Sequence, residues 1–271
     1  MSPARKARRA AERGHSGGGA RHGSTPDHAL TGSVEDYLKA IYELSHESAG
    51  PAATTDIADR LGIAPPSVSG MLRRLASLEL LSYERYKGVT LTPAGRRAAL
   101  RMLRRHRVIE AYLAEQLDYP WDRVHAEAER LEHTASDELI DRMAKVLGEP
   151  VVDPHGAPIP SRAGEIVDIP QRMLADQPVG AGARVSSVSD DDPELLRYVA
   201  SLGIRPGATV TVVERGPFEG PVTVRVARRG GAGSQHVLGL AVARAVFMVA
   251  PPIEPRGAPR GAPRGAARRG R

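Results

Sequence analysis

No cysteine occurs among the 271 residues, which excludes disulfides, thiolate zinc fingers and thiol catalysis and fits an intracellular protein. No apolar run approaches the roughly 18 residues that a membrane helix needs. The basic N-terminus has no apolar signal-peptide core behind it, so the expected location is the cytoplasm, with no membrane partner. Aromatic residues make up only 4 %, and the core positions named below are nearly all aliphatic. There is no nucleophile elbow, phosphate-cradling glycine loop or Cys/His couple, which speaks against an enzyme and against a small-molecule substrate.

The chain is long enough, and at 41 % hydrophobic residues apolar enough, for two or three domains with real cores. Its formal charge of +6 sits in the tails. Residues 1–30 carry an excess of Arg and Lys over Glu12 and Asp27, and residues 252–271 an excess of Arg over Glu254. The body between them is net acidic, so the high isoelectric point is no argument for nucleic-acid binding. Residues 1–30 lack apolar periodicity and read as a disordered basic tail. Residues 252–271, built on Arg-Gly-Ala-Pro repeats, read as a second one, attracted to phosphates or merely solubilising.

Between the tails the expected fold is mainly α with a small β part. Residues 31–95 read as a winged helix-turn-helix DNA-binding domain. Ser33 stands as an N-cap with Glu35 and Asp36 behind it, and Tyr37, Leu38, Ile41 and Tyr42 follow at helical spacing. Residues 55–61, a turn at Gly62 and residues 67–78 give helix, tight turn, helix. Two short strands around Lys87-Gly88 make the wing. Pro93 opens a long helix with Arg96, Arg97, Arg101, Arg104 and Arg105 on its outer side. Residues 96–149 read as a helical domain. Residues 150–179, with prolines at 150, 154, 158, 160, 170 and 178, read as a linker or an irregular packed arm. Residues 180–251 contain five short β-rich runs and a helix capped by Asp192, which suggests a small SH3-like β-barrel.

The chemistry concentrates in His125-Ala-Glu-Ala-Glu-Arg-Leu-Glu-His133. There His125, Glu129, Glu132 and His133 share one helix face, and Val124, Ala128 and Leu131 form a separate apolar stripe. His106 and Glu110 make a similar pair one helix earlier. A solvated face of acids and imidazoles is the bland alternative, but six convergent residues favour a metal site without thiols.

These stretches, with Ser33-Val-Glu-Asp-Tyr-Leu-Lys-Ala-Ile-Tyr-Glu-Leu44 and Arg105-His-Arg-Val-Ile-Glu110, resemble the diphtheria toxin repressor family of metal-dependent regulators. Residues 33–147 carry the likeness, and residues 180–250 resemble that family's SH3-like domain. The resemblance implies that the helical domain at 96–149 binds metal and dimerises. The resemblance implies a primary metal site of Asp36, Glu129, Glu132 and His133. Iron-type members have Met and Cys at the positions of Asp36 and Glu129, so carboxylates at both point to the manganese-responsive branch. Mn(II) is then the expected ion, with Fe(II) the alternative. A second site is implied at His106, Glu110 and His125, completed by Asp190 or Asp191. Short manganese regulators place an acid where this chain has Lys39, which puts their binuclear geometry in doubt.

For double-stranded operator DNA, Pro66, Ser67, Ser69 and Gly70 are expected at the major groove and Arg73 and Arg74 at phosphates. Gly70 offers no side chain, so direct readout looks thin. Tyr86 and Lys87 on the wing either touch DNA or form an ordinary hairpin tip. The expected function is a Mn(II)-activated repressor of metal-uptake genes binding palindromic operators as a homodimer. An Fe(II)-responsive repressor of iron-uptake genes, a helical di-metal oxidase and a metal-blind winged-helix regulator are the rivals.

Overall fold

Val34, Tyr37, Leu38, Ile41 and Tyr42 recur at helical spacing and form the buried face of α1 (Gly32–Glu47). The computed structural model describes residues 31–249 except Ala49, Arg85, Tyr86, Asp168, Arg229 and Gly230. Both basic tails and Tyr86 therefore lie outside the described residues. The expected cap at Ser33 is displaced to Thr31, whose backbone oxygen accepts from Val34 and Glu35. Gly32 already lies inside the helix, where an added Cβ would come within 3.4 Å of the His133 ring.

α2 (Thr54–Leu61) ends at Gly62, whose φ of +63° only glycine adopts freely, and α3 (Pro65–Ser77) follows at once. Ile57 and Ala58 on the first helix and Val68, Leu72 and Leu75 on the second are buried and lock the pair together. The wing is β1 (Leu81–Glu84) paired antiparallel with β2 (Gly88–Leu91). Thr92 then caps α4 (Pro93–Leu117), its hydroxyl accepting from Gly95 N at 3.1 Å. α4 packs against α1, α5 (Val124–Leu131) and α6 (Asp137–Val146), the last capped by Ser136. The apolar stripe of α5 is narrower than expected: Val124 and Ala128 are buried, whereas Leu131 is 39 % exposed. The helix stops at Leu131 and Glu132 turns inward in its place.

Residues 152–160 take the packed-arm alternative. Val152 bridges Pro158, Ile159 joins the core of α4, α5 and α6, and Arg104 and Arg107 donate to the carbonyls of Pro160 and Pro158.

Six strands follow: β3 (Arg172–Met173), β4 (Gly182–Val188), β5 (Thr209–Arg215), β6 (Val222–Arg228), β7 (Gly231–Leu238) and β8 (Val246–Val249). α7 (Pro193–Ser201), capped by Asp192 as expected, and α8 (Leu240–Arg244) connect them. Alternating valines such as Val210, Val212, Val222, Val224 and Val226 face one core. The expected closed barrel is not formed. The order is β3-β8-β4-β5-β6-β7, an open sheet with β3 and β7 at its edges. Edge strand β3 has only two residues, too few backbone groups to join the far edge, although register shifts in β4, β5 and β6 do bend the sheet. No described helix is long and apolar enough to cross a membrane.

Candidate metal centre

α1, α4 and α5 bring carboxylates and imidazoles together in three adjoining groups. In the outer group, Asp36, Glu132 and His133 place ligand atoms within 4.8 Å of one another. His133 Nε2 lies 2.9 Å from Asp36, while its Nδ1 faces Glu35 at 3.0 Å. Glu35, which the sequence offered only as a first-turn acid, thus orients the ring so that Nε2 points at Asp36. Burial raises the Asp36 pKa above its ordinary value, with His133 opposing and Glu132 and Glu129 adding to the rise.

Glu129, expected beside Asp36, stands in a middle group with His106 and Glu132. Its Oε1 is 2.5 Å from Lys39 Nζ, which draws it to that side. Burial disfavours the charged Lys39, but Glu132 and Glu129 outweigh it and push its pKa up.

The inner group joins His106, Glu110, His125 and Asp190. His106 Nε2 and His125 Nδ1 lie 3.1 Å apart and reach Glu110 Oε1 at 3.1 and 3.3 Å. Asp190, in the loop after β4, faces His125 at 3.2 Å, whereas Asp191 accepts from Ser189 and is exposed. Burial alone would lower both imidazoles. Glu110 outweighs it at His106, pushed up to about 9, and the close carboxylates of Asp190 and Glu110 do so at His125, pushed up to about 11. Burial likewise opposes the charged Asp190, but its contact with His125 holds it well below the usual carboxylate range.

Two further residues, Asp153 and His155, enter from the arm and form a fully buried triple with Glu110. Gly156 allows this approach: its φ is +89°, and an added Cβ would meet Ser186 O at 2.0 Å. Burial and the neighbouring Glu110 push Asp153 up to about 7. Sequence reasoning missed both residues by treating the proline-rich stretch as connection. An acid and a histidine two residues apart, followed by glycine, was the available signal.

Both oxygens of Glu110, Asp153 Oδ2 and His155 Nδ1 are buried without a hydrogen-bond partner among the described residues. The ion-pair distances to Glu110 are short, but their angles are not those of hydrogen bonds. The ligand atoms of Glu110, Asp153 and His155 lie within 4.8 Å of one another, and Arg107 Nε approaches Asp153 Oδ2 at 3.7 Å. Buried polar atoms left without hydrogen bonds are costly, and a donor set of oxygens and imidazoles without sulfur fits a hard or borderline divalent ion.

Of the residues expected at DNA, all but Tyr86 lie among the described residues. Pro66, Ser67, Gly70, Arg73 and Arg74 are exposed on α3, Ser69 is half-buried, and a Cβ on Gly70 would meet open space. Lys87 is exposed at the wing and pairs with Glu84 at 2.6 Å.

Three family models match the chain in succession. Residues 29–89 match the family described as "Iron dependent repressor, N-terminal DNA binding domain", residues 92–161 its "metal binding and dimerisation domain", and residues 172–250 the "FeoA domain". The diphtheria toxin repressor of Corynebacterium jeikeium is 32 % identical over 207 residues, covering 68 % of this chain and 86 % of that protein. The iron-dependent repressor IdeR of Mycobacterium tuberculosis is 33 % identical over 195 residues, 68 % of this chain and 84 % of the relative. Among solved structures, a "Manganese-dependent transcriptional repressor complex with manganese" superposes with a TM-score of 0.76 at 40 % identity, covering 80 % of this chain and 99 % of the other. The chain belongs to the diphtheria toxin repressor family of metal-dependent transcriptional repressors.

Proposed function

We propose that the protein is a Mn(II)-activated repressor that binds operator DNA as a homodimer. The observation that carries the reading is the convergence of unpartnered buried donors at Glu110, Asp153 and His155, beside a second group that ties α1 to the end of α5. In this reading Asp36, Glu129, Glu132 and His133 hold an outer ion. His106, Glu110, His125 and Asp190 hold an inner one, with Asp153 and His155. The absence of sulfur favours Mn(II) over softer ions. Fe(II) suits the same ligands, and relatives are named iron-dependent.

The divisions proposed are a DNA reader at 31–95, a metal-binding and dimerisation unit at 96–149, the stretch 150–179, whose residues 152–160 serve the inner group, and an SH3-like sheet at 180–251. Leu117, Leu139 and Val146, exposed on α4 and α6, supply apolar surface for a dimer. Two copies then present two recognition helices, with Pro66, Ser67, Ser69 and Gly70 at base edges, Arg73 and Arg74 at phosphates and Lys87 at the flank.

Mechanically, Lys39 offsets the charges of Glu129 and Glu132 in part, and what they still repel is Asp36 at the edge of the centre, which leaves that end of α1 weakly held to α5. A bound divalent ion supplies the positive charge that offsets this repulsion. Asp36 then stays fastened to Glu132 and His133, and α1 carries the helix-turn-helix packed on it into one orientation. DNA and metal affinities are therefore coupled, each tightening the other.

Operator binding measured by fluorescence anisotropy with Mn(II), Fe(II), Co(II), Zn(II) or chelator tests this. Wild type is expected to bind tightly with Mn(II) and weakly with chelator, and Glu129→Ala to lose that difference. Equal affinity of both proteins with and without metal would sink the reading.

A further inference from the structure

Lys39 stands on α1 one turn after Asp36, buried, with its ammonium pointing into the metal centre. Its Nζ lies 2.5 Å from Glu129 Oε1, 3.1 and 3.2 Å from the two oxygens of Glu132 and 3.2 Å from His106 Nδ1. Those three partners are the same residues that form the middle metal-type group. Glu132 is also shared with the outer group, and His106 with the inner one. A lysine ammonium has three donors and a compact charge, and here it meets the carboxylates of two side chains, with the His106 ring against its third side.

We propose that the Lys39 ammonium is the resident cation of this middle cage, closing it to a third divalent ion and confining metal to the groups on either side. The proposal rests on the metal-binding reading above. The buried carboxylate of Glu132 and the half-exposed one of Glu129 face one point and need a cation there, since an uncompensated buried charge is strongly unfavourable. The chain supplies that cation covalently. Lys39 also joins α1 to Glu132 and to His106 on α4 before any ion arrives, which keeps Asp36 within reach of His133. An apolar side chain of similar length would leave the cage open and negative, and a divalent ion would enter.

The test counts Mn(II) per chain by elemental analysis after equilibrium dialysis at saturating metal, with electron paramagnetic resonance on the same samples. Wild type and Lys39→Arg are expected to hold two ions, and Lys39→Met three, with a spin-coupled signal from the added neighbour. Lys39→Gln, polar but uncharged, carries the same expectation of three if the Met variant does not fold. A count of two in the folded neutral variant overturns the proposal and leaves the metal reading intact. Three ions in wild type overturn it as well. No ion in wild type overturns both.

Discussion

The outer and inner clusters use the same residue types and differ in burial. The side chains of Asp36 and His133 are 39 % and 26 % exposed, with only Glu132 buried beside them; His125 and Asp190 are as open at 26 % and 27 %, but behind them the side chains of His106, Glu110, Asp153 and His155 are 4 % exposed or less. Asp36 belongs to the helix that carries the DNA reader, and its partners sit where α5 ends. Glu110 is gripped by α5, the 152–160 arm and the loop that bears Asp190. A half-exposed contact between two elements can open and close at little cost. A buried one among four segments is part of the fold. In the proposed mechanism the outer cluster is the switch and the inner cluster its fixed support.

The largest break in that comparison is Glu110→Ala. In the metal-free protein it removes the buried carboxylate that faces both His106 and His125, leaving these charged imidazoles with one close acid each, Glu132 and Asp190. A loss of about 3–5 kcal/mol is expected, read from urea unfolding in chelator. A loss below about 1 kcal/mol would show that Glu110 is not integral to the fold.

Gly156→Ala comes next. The new Cβ would fall 2.0 Å from Ser186 O on a backbone with φ of +89°. A cost of about 1–3 kcal/mol is expected, and His155 moves with the loop. Inner-site metal should be lost while the outer ion is kept, which metal counting resolves. Loss of both ions would mean that the clusters are not separable.

A separate effect, on the order of 1 kcal/mol per pH unit for each group, concerns protons. His106 and His125, pushed up to about 9 and 11, hold protons in the folded state that the unfolded chain releases near its ordinary value. Their stabilisation is present below about pH 6.5 and is lost as pH climbs through those raised values. Stability of the metal-free protein should therefore fall from pH 6.5 to 9. Saturating Mn(II) should flatten the slope, because ligating imidazoles are neutral. Parallel slopes with and without metal would detach these histidines from the site.

Much of this was legible in the sequence because helices write a period. The i, i+4 placing of His106 and Glu110 and the spacing from His125 to Glu132 survive folding, since α4 and α5 are helical there and Glu132, though the C-cap, keeps helical backbone angles. The helix-turn-helix announced itself through Gly62 and its flanking apolar positions. Asp153 and His155 were hidden because a loop has no period, and their burial depends on Gly156 meeting a strand thirty residues away in sequence. The open edge of the sheet was equally invisible: β3 has two residues and leaves no alternating pattern. Lys39 was readable only as a disqualified ligand. Its role in the middle cage depends on the approach of α1 to α5, which is tertiary.

The smallest expected change in stability comes from Asp36→Ala, and it separates the clusters most sharply. Asp36 is partly exposed and its pair with His133 is of the kind worth about 0–1 kcal/mol, so unfolding in chelator should scarcely move. His133 retains Glu35, and Lys39 still binds Glu129 and Glu132, so α1 keeps its contacts with α5 and α4. What is lost is the carboxylate that links the reader helix to the outer ion. Operator binding should become insensitive to Mn(II) in a protein of nearly wild-type stability, the reverse of Glu110→Ala. If Asp36→Ala instead unfolds the protein as readily as Glu110→Ala does, the outer cluster is structural, and the line between switch and support falls elsewhere.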